Sequence, residues 1–147
     1  MSILITDLTD IEQTLQNTFQ EKFQLTDYDN GAGPLVLAAG NSIRVGGSLY
    51  YITGGDYTVT DNVTTPGSGT TACYIYLADA GSGTGVATIE TDTPTFDPNN
   101  AGYYFGNARA IFSMSKDSSG NFINRVRLVD AELKRARDRQ LIYSLIF

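Results

Sequence analysis

The chain has 147 residues, a hydrophobic content of 41% and a formal net charge of −6. These values are typical of a globular protein with one domain-sized core, and the acidic balance argues against a nucleic-acid partner. No apolar run approaches the roughly 18 residues of a membrane span, so we expect no membrane insertion. The sequence contains no histidine, which removes the commonest general base and the commonest zinc ligand. Composition therefore favours a protein that is not an enzyme and that uses no cofactor.

Residues 1–25 show the periodicity of an amphipathic helix. Five apolar side chains recur at spacings of four, three, four and four, which places them on one helix face: Leu4, Leu8, Ile11, Leu15 and Phe19. Thr9 with Glu12 fits a capping box near the start. The stripe is too short for a stable isolated coiled coil, so the helix either packs on the rest of the chain or bundles with copies of itself. We predict an oligomerisation or attachment arm, with a homotrimer as the favoured assembly.

Residues 34–129 are predicted to form a β domain. After a linker rich in Gly and Asp, apolar and polar residues alternate in short segments separated by glycines. The first four segments read as strands of a tight antiparallel meander over 35–39, 42–45, 49–53 and 57–60. Two longer hairpins follow, turning at 81–85 and 117–121, and in the second one face is expected to carry Ala110, Phe112 and Met114. The pattern predicts an antiparallel β-sandwich or a barrel-like domain.

Residues 130–147 form a tail for which helix and strand both stay open. Residues 131–140 are rich in helix formers, which favours a helix, whereas the arginines alternate as in a strand. The stretch 125–139 holds six basic and three acidic residues, while the rest of the chain is acidic. One interpretation is a solvated face with internal ion pairs. The other is docking on a neighbouring copy or assembly component, through Arg135, Arg137, Arg139, Leu141, Ile142, Tyr143 and Phe147.

No group of residues carries a specific signal for catalysis or metal binding. Residues 27–31 resemble the opening of a calcium loop, but Ala32 and Ala38 stand where glycine and glutamate are required. Cys73 is single and lies in an alternating run, where a small buried hydrophobe is expected. Nothing singles out a pair among the acidic residues that are candidates for glycoside hydrolysis, namely Asp56, Glu90, Asp92 and Asp97.

Tyrosine is abundant in the predicted β domain and suggests a binding face. A tyrosine offers a rigid apolar ring with a polar tip, which suits stacking on a sugar or contact with a protein. The residues proposed for such a face are Tyr74, Tyr76, Tyr103 and Tyr104. The alternative is that these rings fill the core and subunit contacts, and the absence of tryptophan weakens a carbohydrate site.

One stretch resembles a module of bacteriophage fibre and tail proteins. Phe96-Asp97-Pro98 leads to Gly102-Tyr103-Tyr104, then to Asn107-Ala108-Arg109 and a strand–turn–strand whose tip contains Gly120. The resemblance covers about residues 90–128 and supplies no catalytic residue. Local chemistry agrees with it, because Asp97-Pro98-Asn99-Asn100 suits a turn and Arg109 is placed to hold a turn carbonyl.

The resemblance implies a non-enzymatic structural component of a phage virion, made in the host cytoplasm. A fibre, a tail-fibre adaptor or a decoration protein fits the length better than a complete long fibre. The expected partners are copies of the chain, other virion proteins and a host-surface glycan. The alternative is a carbohydrate-binding β module that stacks sugars on its tyrosine face.

Overall fold

The computed structural model describes residues 3–6, 25, 31–39, 42–52, 55–81 and 83–128. These residues form a mainly β, largely antiparallel fold, which confirms the predicted fold class. The strands are Ile3–Thr6 (β1), Val36–Leu37 (β2), Ser42–Val45 (β3), Ser48–Ile52 (β4), Tyr57–Thr58 (β5), Thr60–Asp61 (β6), Thr70–Gly81 (β7), Thr84–Glu90 (β8), Thr95–Asp97 (β9), Gly102–Phe105 (β10), Ala108–Asp117 (β11) and Phe122–Arg127 (β12).

Most of the strands belong to one large sheet with the order β3-β4-β1-β8-β7-β11-β10-β9. In addition β12 pairs with β11, and β6 pairs with β8 in parallel orientation. The longest pairing joins β11 to β7, from Arg109 opposite Leu77 to Asp117 opposite Thr70. A second, two-stranded sheet contains β2 and β5. The centre of the fold is therefore the pair of long strands β7 and β11.

The hydrophobic core lies on one side of the large sheet, here called the inner face. The small sheet and its neighbours contribute Leu35, Leu37 and Val59 to this core, and Leu25 forms a bridge with Leu37. The large sheet contributes inward side chains from several strands, among them Ile43, Val45, Tyr50, Ile52, Cys73, Ile75, Leu77, Ala87, Ile89, Tyr104, Ile111, Phe112, Met114 and Phe122. The small sheet thus helps to cover the inner face of the large one.

Two inward-facing side chains connect the edge strand β3 and its turn to strands near the other end of the sheet. The Arg109 Nη1 atom donates to the carbonyl oxygen of Arg44 at 2.6 Å. The Tyr104 hydroxyl accepts the N–H of Gly46 at 2.9 Å. Because Arg44 lies in β3 while Tyr104 and Arg109 lie in β10 and β11, the sheet must curl on itself. Arg109 was expected to hold a carbonyl of a turn, and the carbonyl that it bonds belongs to strand β3 instead.

The structure corrects the assignment of Leu4 to the helical stripe. Ile3–Thr6 is a strand inserted between β4 and β8, with Leu4 opposite Tyr51 on one side and Thr84 on the other. The spacing of apolar residues indicates only local helix periodicity. It gives no information about pairing with distant strands, and here the same residues form a strand because β4 and β8 both offer an edge for pairing. The rest of the stripe, Leu8, Ile11, Leu15 and Phe19, lies outside the described residues.

The predicted four-stranded meander is also corrected. β3 and β4 form the expected hairpin, but β2 pairs with β5 in the separate small sheet, and β4 continues to β1. β2 and β5 form a separate sheet because Leu35, Leu37 and Val59 pack on the inner face of the large sheet. Each of these side chains is less than a tenth exposed. A linear meander would leave that face open to water.

A β-bulge corrects the expected face of Ala110. The register between β11 and β7 shifts between Ala110 and Phe112, so Ala110 lies opposite Tyr76 while Phe112 lies opposite Ile75. Ala110 therefore shares the face of Tyr76, opposite to that of Phe112. Ile111, the extra residue, is itself fully buried. The insertion of one residue changes the alternation that the sequence pattern assumes.

Tyr104→Phe tests the contact that joins β10 to the turn after β3. The substitution keeps the ring but removes the acceptor of the Gly46 N–H, and we expect unfolding to become easier by about 1 kcal/mol. Tyr51→Phe is the matched control, because the Tyr51 hydroxyl has no hydrogen-bond partner among the described residues. Denaturant unfolding of both variants measures the difference. Equal stability of the two variants would contradict the role of this contact.

Gly85→Ala tests the packing of β8 against the core. A Cβ atom at Gly85 would lie 2.9 Å from Cδ1 and 3.1 Å from Cε1 of the Tyr50 ring, too close for either group to remain in place. We expect a loss of about 1–3 kcal/mol in the free energy of unfolding. Gly67→Ala is the control, since nothing lies within 4 Å of the added methyl group. A thermal unfolding midpoint unchanged in Gly85→Ala would show that the ring moves aside without cost.

Candidate functional site

The side of the large sheet opposite the core, here called the outer face, carries a row of aromatic rings. Tyr74 and Tyr76 of β7 have ring centroids 6.2 Å apart, and Tyr76 meets Phe105 of β10 edge-on at 6.5 Å. Phe96 of β9 and Tyr103 of β10 pair edge-to-face at 5.3 Å. Such tilted and edge-on geometries are those that aromatic pairs prefer. The outer face therefore carries aromatic side chains on three strands.

Tyr76 is the buried ring of the aromatic row on the outer face. Its side chain is 3% exposed, and its hydroxyl donates to the carbonyl oxygen of Asp92. Residues 91–94 connect β8 to β9, which are separated in the sheet by three other strands, so this bond shows that the connection crosses the outer face. Burial raises the pKa of Tyr76 well above that of a free tyrosine, and the nearby Asp92 adds to the effect. Tyr76 is thus a structural support for the residues around it.

The predicted tyrosine face is divided by the structure. Tyr74, Tyr76 and Tyr103 share the outer face, whereas Tyr104 lies opposite Arg109 on the inner face and is part of the core. Tyr74 and Tyr103 are half-buried. Phe105 is 51% exposed, and the sequence analysis did not select it. Only two of the four predicted tyrosines thus offer substantial surface to a ligand.

A pocket of about 270 Å³ lies where the turn between β3 and β4 approaches the turn between β10 and β11. Its walls come from β3, β4, β7, β10 and three turns. The lining residues are Val45, Gly46, Ser48, Tyr50, Asp79, Asn100, Tyr104, Gly106 and Asn107. Sequence reasoning missed this site, because its polar residues are far apart in the chain and each reads separately as a turn or strand residue.

A hydrogen bond between Tyr50 and Asp79 defines one wall of the pocket. Burial raises the pKa of the Tyr50 hydroxyl, and the negative charge of Asp79 and the hydrogen bond to it act in the same direction. Asp79 also accepts the N–H of Gly81 at 2.7 Å through Oδ1. The carboxylate is therefore held in position from two sides and is a fixed acceptor group at the pocket.

Lys116, a buried lysine near the C-terminal end of β11, is stabilised by contacts that indicate a structural role. Lys116 is 6% exposed, and its Nζ atom lies 2.6 Å from Asp61 Oδ2 and 2.7 Å from the carbonyl oxygen of Val63. The same atom lies 5.2 Å from the centroid of the Phe122 ring. These contacts satisfy the buried charge and fasten the segment that follows β5 to β11. We interpret the group as a structural link.

Three of the four acidic residues considered for hydrolysis accept hydrogen bonds from neighbouring backbone or side-chain groups. Asp56 accepts the N–H of Ala39, and Glu90 accepts a hydrogen bond from the amide group of Asn62. Asp97 accepts bonds from the side chain of Asn100 and the backbone of Asn99, which lower the pKa of its carboxyl group in that order of importance. The predicted turn at 97–100 is confirmed. The hydrogen bonds of Asp56, Glu90 and Asp97 give each carboxylate a structural role, so none of the three needs a catalytic explanation.

The remaining predicted site residues belong to the arm and the tail. Leu8, Ile11, Leu15 and Phe19 of the arm lie outside the described residues, as do the tail residues Arg135, Arg137, Arg139, Leu141, Ile142, Tyr143 and Phe147. In the described ranges no cluster of three or more Cys, Asp or Glu side chains is arranged to hold a metal ion. Within the same ranges, no helix has the length and apolarity needed to cross a membrane.

Comparison of the chain with protein-family models, curated proteins and solved structures finds no match. The resemblance of residues 90–128 to phage fibre and tail proteins therefore stays a prediction from the residues themselves.

Cys73 lies close enough to Asp61 and Lys116 to feel both charges, so the reactivity of its thiol tests whether this region is structural. Cys73 is fully buried, burial raises the pKa of its thiol to about 11, and Asp61 adds to that effect while Lys116 opposes it. A raised pKa keeps the thiol protonated until the pH approaches that value, whereas an unfolded thiol is largely ionised at pH 9. We expect labelling by iodoacetamide at pH 9 to be at least about tenfold slower in the native protein than in guanidinium chloride. Equal rates would identify an accessible, activated thiol.

Proposed function

We propose that the chain is a non-enzymatic structural component of a phage virion that acts by assembling with copies of itself and with other virion proteins. The observation that carries the proposal furthest is the exposed apolar surface of the outer face. Phe105 and Val126 are each 51% exposed, and the aromatic rings of Tyr74 and Tyr103 accompany them on the same face. Apolar side chains grouped in this way are typical of surfaces that contact another protein.

Val126 lies on the same face of the sheet as Tyr74, one strand further away. Val126 of β12 lies opposite Ser113 of β11, and Ser113 lies opposite Tyr74 of β7. Cross-strand partners point to the same side of a sheet, so all three belong to the outer face. We assign this surface to contact with a neighbouring virion subunit, and the arm stripe to contact between copies of the chain.

The arm supplies the test of self-assembly. Leu8→Asp with Leu15→Asp places two charges on the predicted stripe, where a bundle would have to bury them, and this is costly. We expect light scattering to report a trimer for the unchanged chain and at least about tenfold weaker association for the double variant.

The matched control is Gln13→Asp with Gln16→Asp, which adds the same charge to the same segment away from the stripe. This variant should associate like the unchanged chain. A monomeric unchanged chain at micromolar concentration, or equal weakening by both variants, would refute self-assembly through the stripe.

A carbohydrate-binding module with a tyrosine face is the second candidate. Tyr74 and Tyr103 are the observations in its favour, because both are half-exposed on the outer face beside other rings. The burial of Tyr76 and the inward position of Tyr104 reduce the platform that this candidate requires. Sugar stacking on the outer face is therefore the weaker proposal.

A further inference from the structure

The pocket between the turns at 46–47 and 106–107 has a wall that is fixed before any ligand arrives. The Tyr104 hydroxyl holds the N–H of Gly46, and the Asp79 carboxylate is held by Tyr50 and Gly81. Gly46 has a positive φ of 61° and Gly106 one of 59°, which permits the tight turns on both sides. A site built from such restrained groups loses little conformational freedom on binding.

The pocket also presents polar groups that the described structure does not use. The side chains of Ser48 and Asn107 line it and have no hydrogen-bond partner among the described residues. Asn100 donates from its amide nitrogen to Asp97 at 2.9 Å, and its amide oxygen has no partner in the same residues. Together with Asp79 these groups supply both donors and acceptors at one site.

The lining excludes several ligand classes by chemistry. Among the described residues that line the pocket there is no lysine or arginine, which disfavours a phosphate or a carboxylate ligand. Asp79 is the single carboxylate of that lining, whereas a calcium site uses six to eight oxygen ligands, usually with several carboxylates. Apart from the two tyrosines and Val45, the lining consists of four polar side chains and two glycines, so an apolar ligand would leave hydrogen-bonding groups buried without partners.

The size of the pocket limits the ligand further. A volume of about 270 Å³ lies just below the range of roughly 300–1,000 Å³ that is usual for drug-sized ligands. A single ring carrying several hydroxyl groups matches both this volume and the mixture of donors and acceptors. The rings of Tyr50 and Tyr104 are 2% and 7% exposed, so hydrogen bonds rather than stacking would dominate recognition.

We propose that this pocket binds one neutral sugar residue, with Ser48, Asp79, Asn100 and Asn107 bonding its hydroxyl groups. The site is separate from the outer face and does not depend on the assembly proposed above. A free monosaccharide and the terminal residue of a glycan share this chemistry. The small number of hydrogen bonds and the absence of stacking imply weak binding, with a Kd of about 1 mM for a monosaccharide.

Titration of the isotope-labelled full chain with neutral sugars, followed by NMR, tests the proposal. The probes are glucose, galactose, mannose and N-acetylglucosamine, each added to about 50 mM, which saturates a site with a millimolar Kd. We expect saturable shifts of the backbone amides of Gly46, Ser48, Asp79 and Asn107 with at least one sugar. An array of immobilised glycans then distinguishes a free monosaccharide from the terminal residue of a glycan as the ligand. Only a site that accepts the end of a glycan retains the protein on the array.

Variants identify the groups that bind. Asn107→Ala and Ser48→Ala should each weaken the titrated affinity by about three- to tenfold, the usual effect of losing one hydrogen bond. Asn99→Ala is the matched control, because Asn99 occupies the turn next to Asn100, is exposed and does not line the pocket. Its affinity should equal that of the unchanged chain. Amide spectra of the three variants without sugar establish that the fold is retained.

Three outcomes would overturn the proposal. The first is the absence of shifts at the pocket with all four sugars and of retention on the glycan array. The second is saturable shifts at Tyr74 and Tyr103 alone, which would move sugar binding to the outer face. The third is equal weakening by Asn107→Ala and Asn99→Ala. A monomeric chain that still shows the pocket shifts would refute self-assembly and leave the sugar site standing.

Discussion

The fold depends on covering the inner face of its large sheet with other parts of the same β structure. Every strand whose bounds the structure gives belongs to one of two sheets, and the small sheet covers only part of the core. In the described residues the large sheet also curls, and this curl brings Arg109 to the carbonyl of Arg44 and Tyr104 to the N–H of Gly46. Both contacts use side chains that point inward, so the contacts that close the sheet lie within the core. The pocket exists because closure brings two turns together.

Strand β11 carries two buried cations that act at opposite ends of the strand. Arg109, 2% exposed, reaches β3, and Lys116, 6% exposed, reaches the segment that contains Asp61 and Val63. A buried charge is costly unless it is paired or hydrogen-bonded, and each of these has oxygen partners within 2.7 Å. Both partners belong to segments that have no ladder pairing with β11. Long cationic side chains thus make connections across the core that backbone hydrogen bonds cannot make.

Much of the β domain could be predicted from residue alternation and turn chemistry. The hairpin turn after β11 is formed as expected, with the Asp117 carboxylate accepting the N–H groups of Ser119 and Asn121 and with φ of 82° at Gly120. Such features are local, so the sequence contains their causes. The same is true of β3 and β4, whose connection uses Gly46 at a positive φ.

What could not be predicted depends on residues distant in the chain. The strand at Ile3–Thr6 exists because β4 and β8 leave room for it, and the displacement of Ala110 depends on a register set by β7. To predict the pocket, one would have to know which turns meet when the large sheet curls. Phe105 was missed for a related reason, since its exposure is decided by the neighbours that β10 acquires in the sheet.

The insertion of β1 between β4 and β8 has a consequence for the order of folding. β1 has one partner strand that ends at Ile52 and another that ends at Glu90. Its pairing closes loops that span much of the chain, and such long-range contacts form slowly because the entropy of loop closure must be overcome first. The large sheet can be completed only after β8 and the strands that follow it have been synthesised. Until β8 has been made, β1 can pair only with β4, and its other edge stays unpaired.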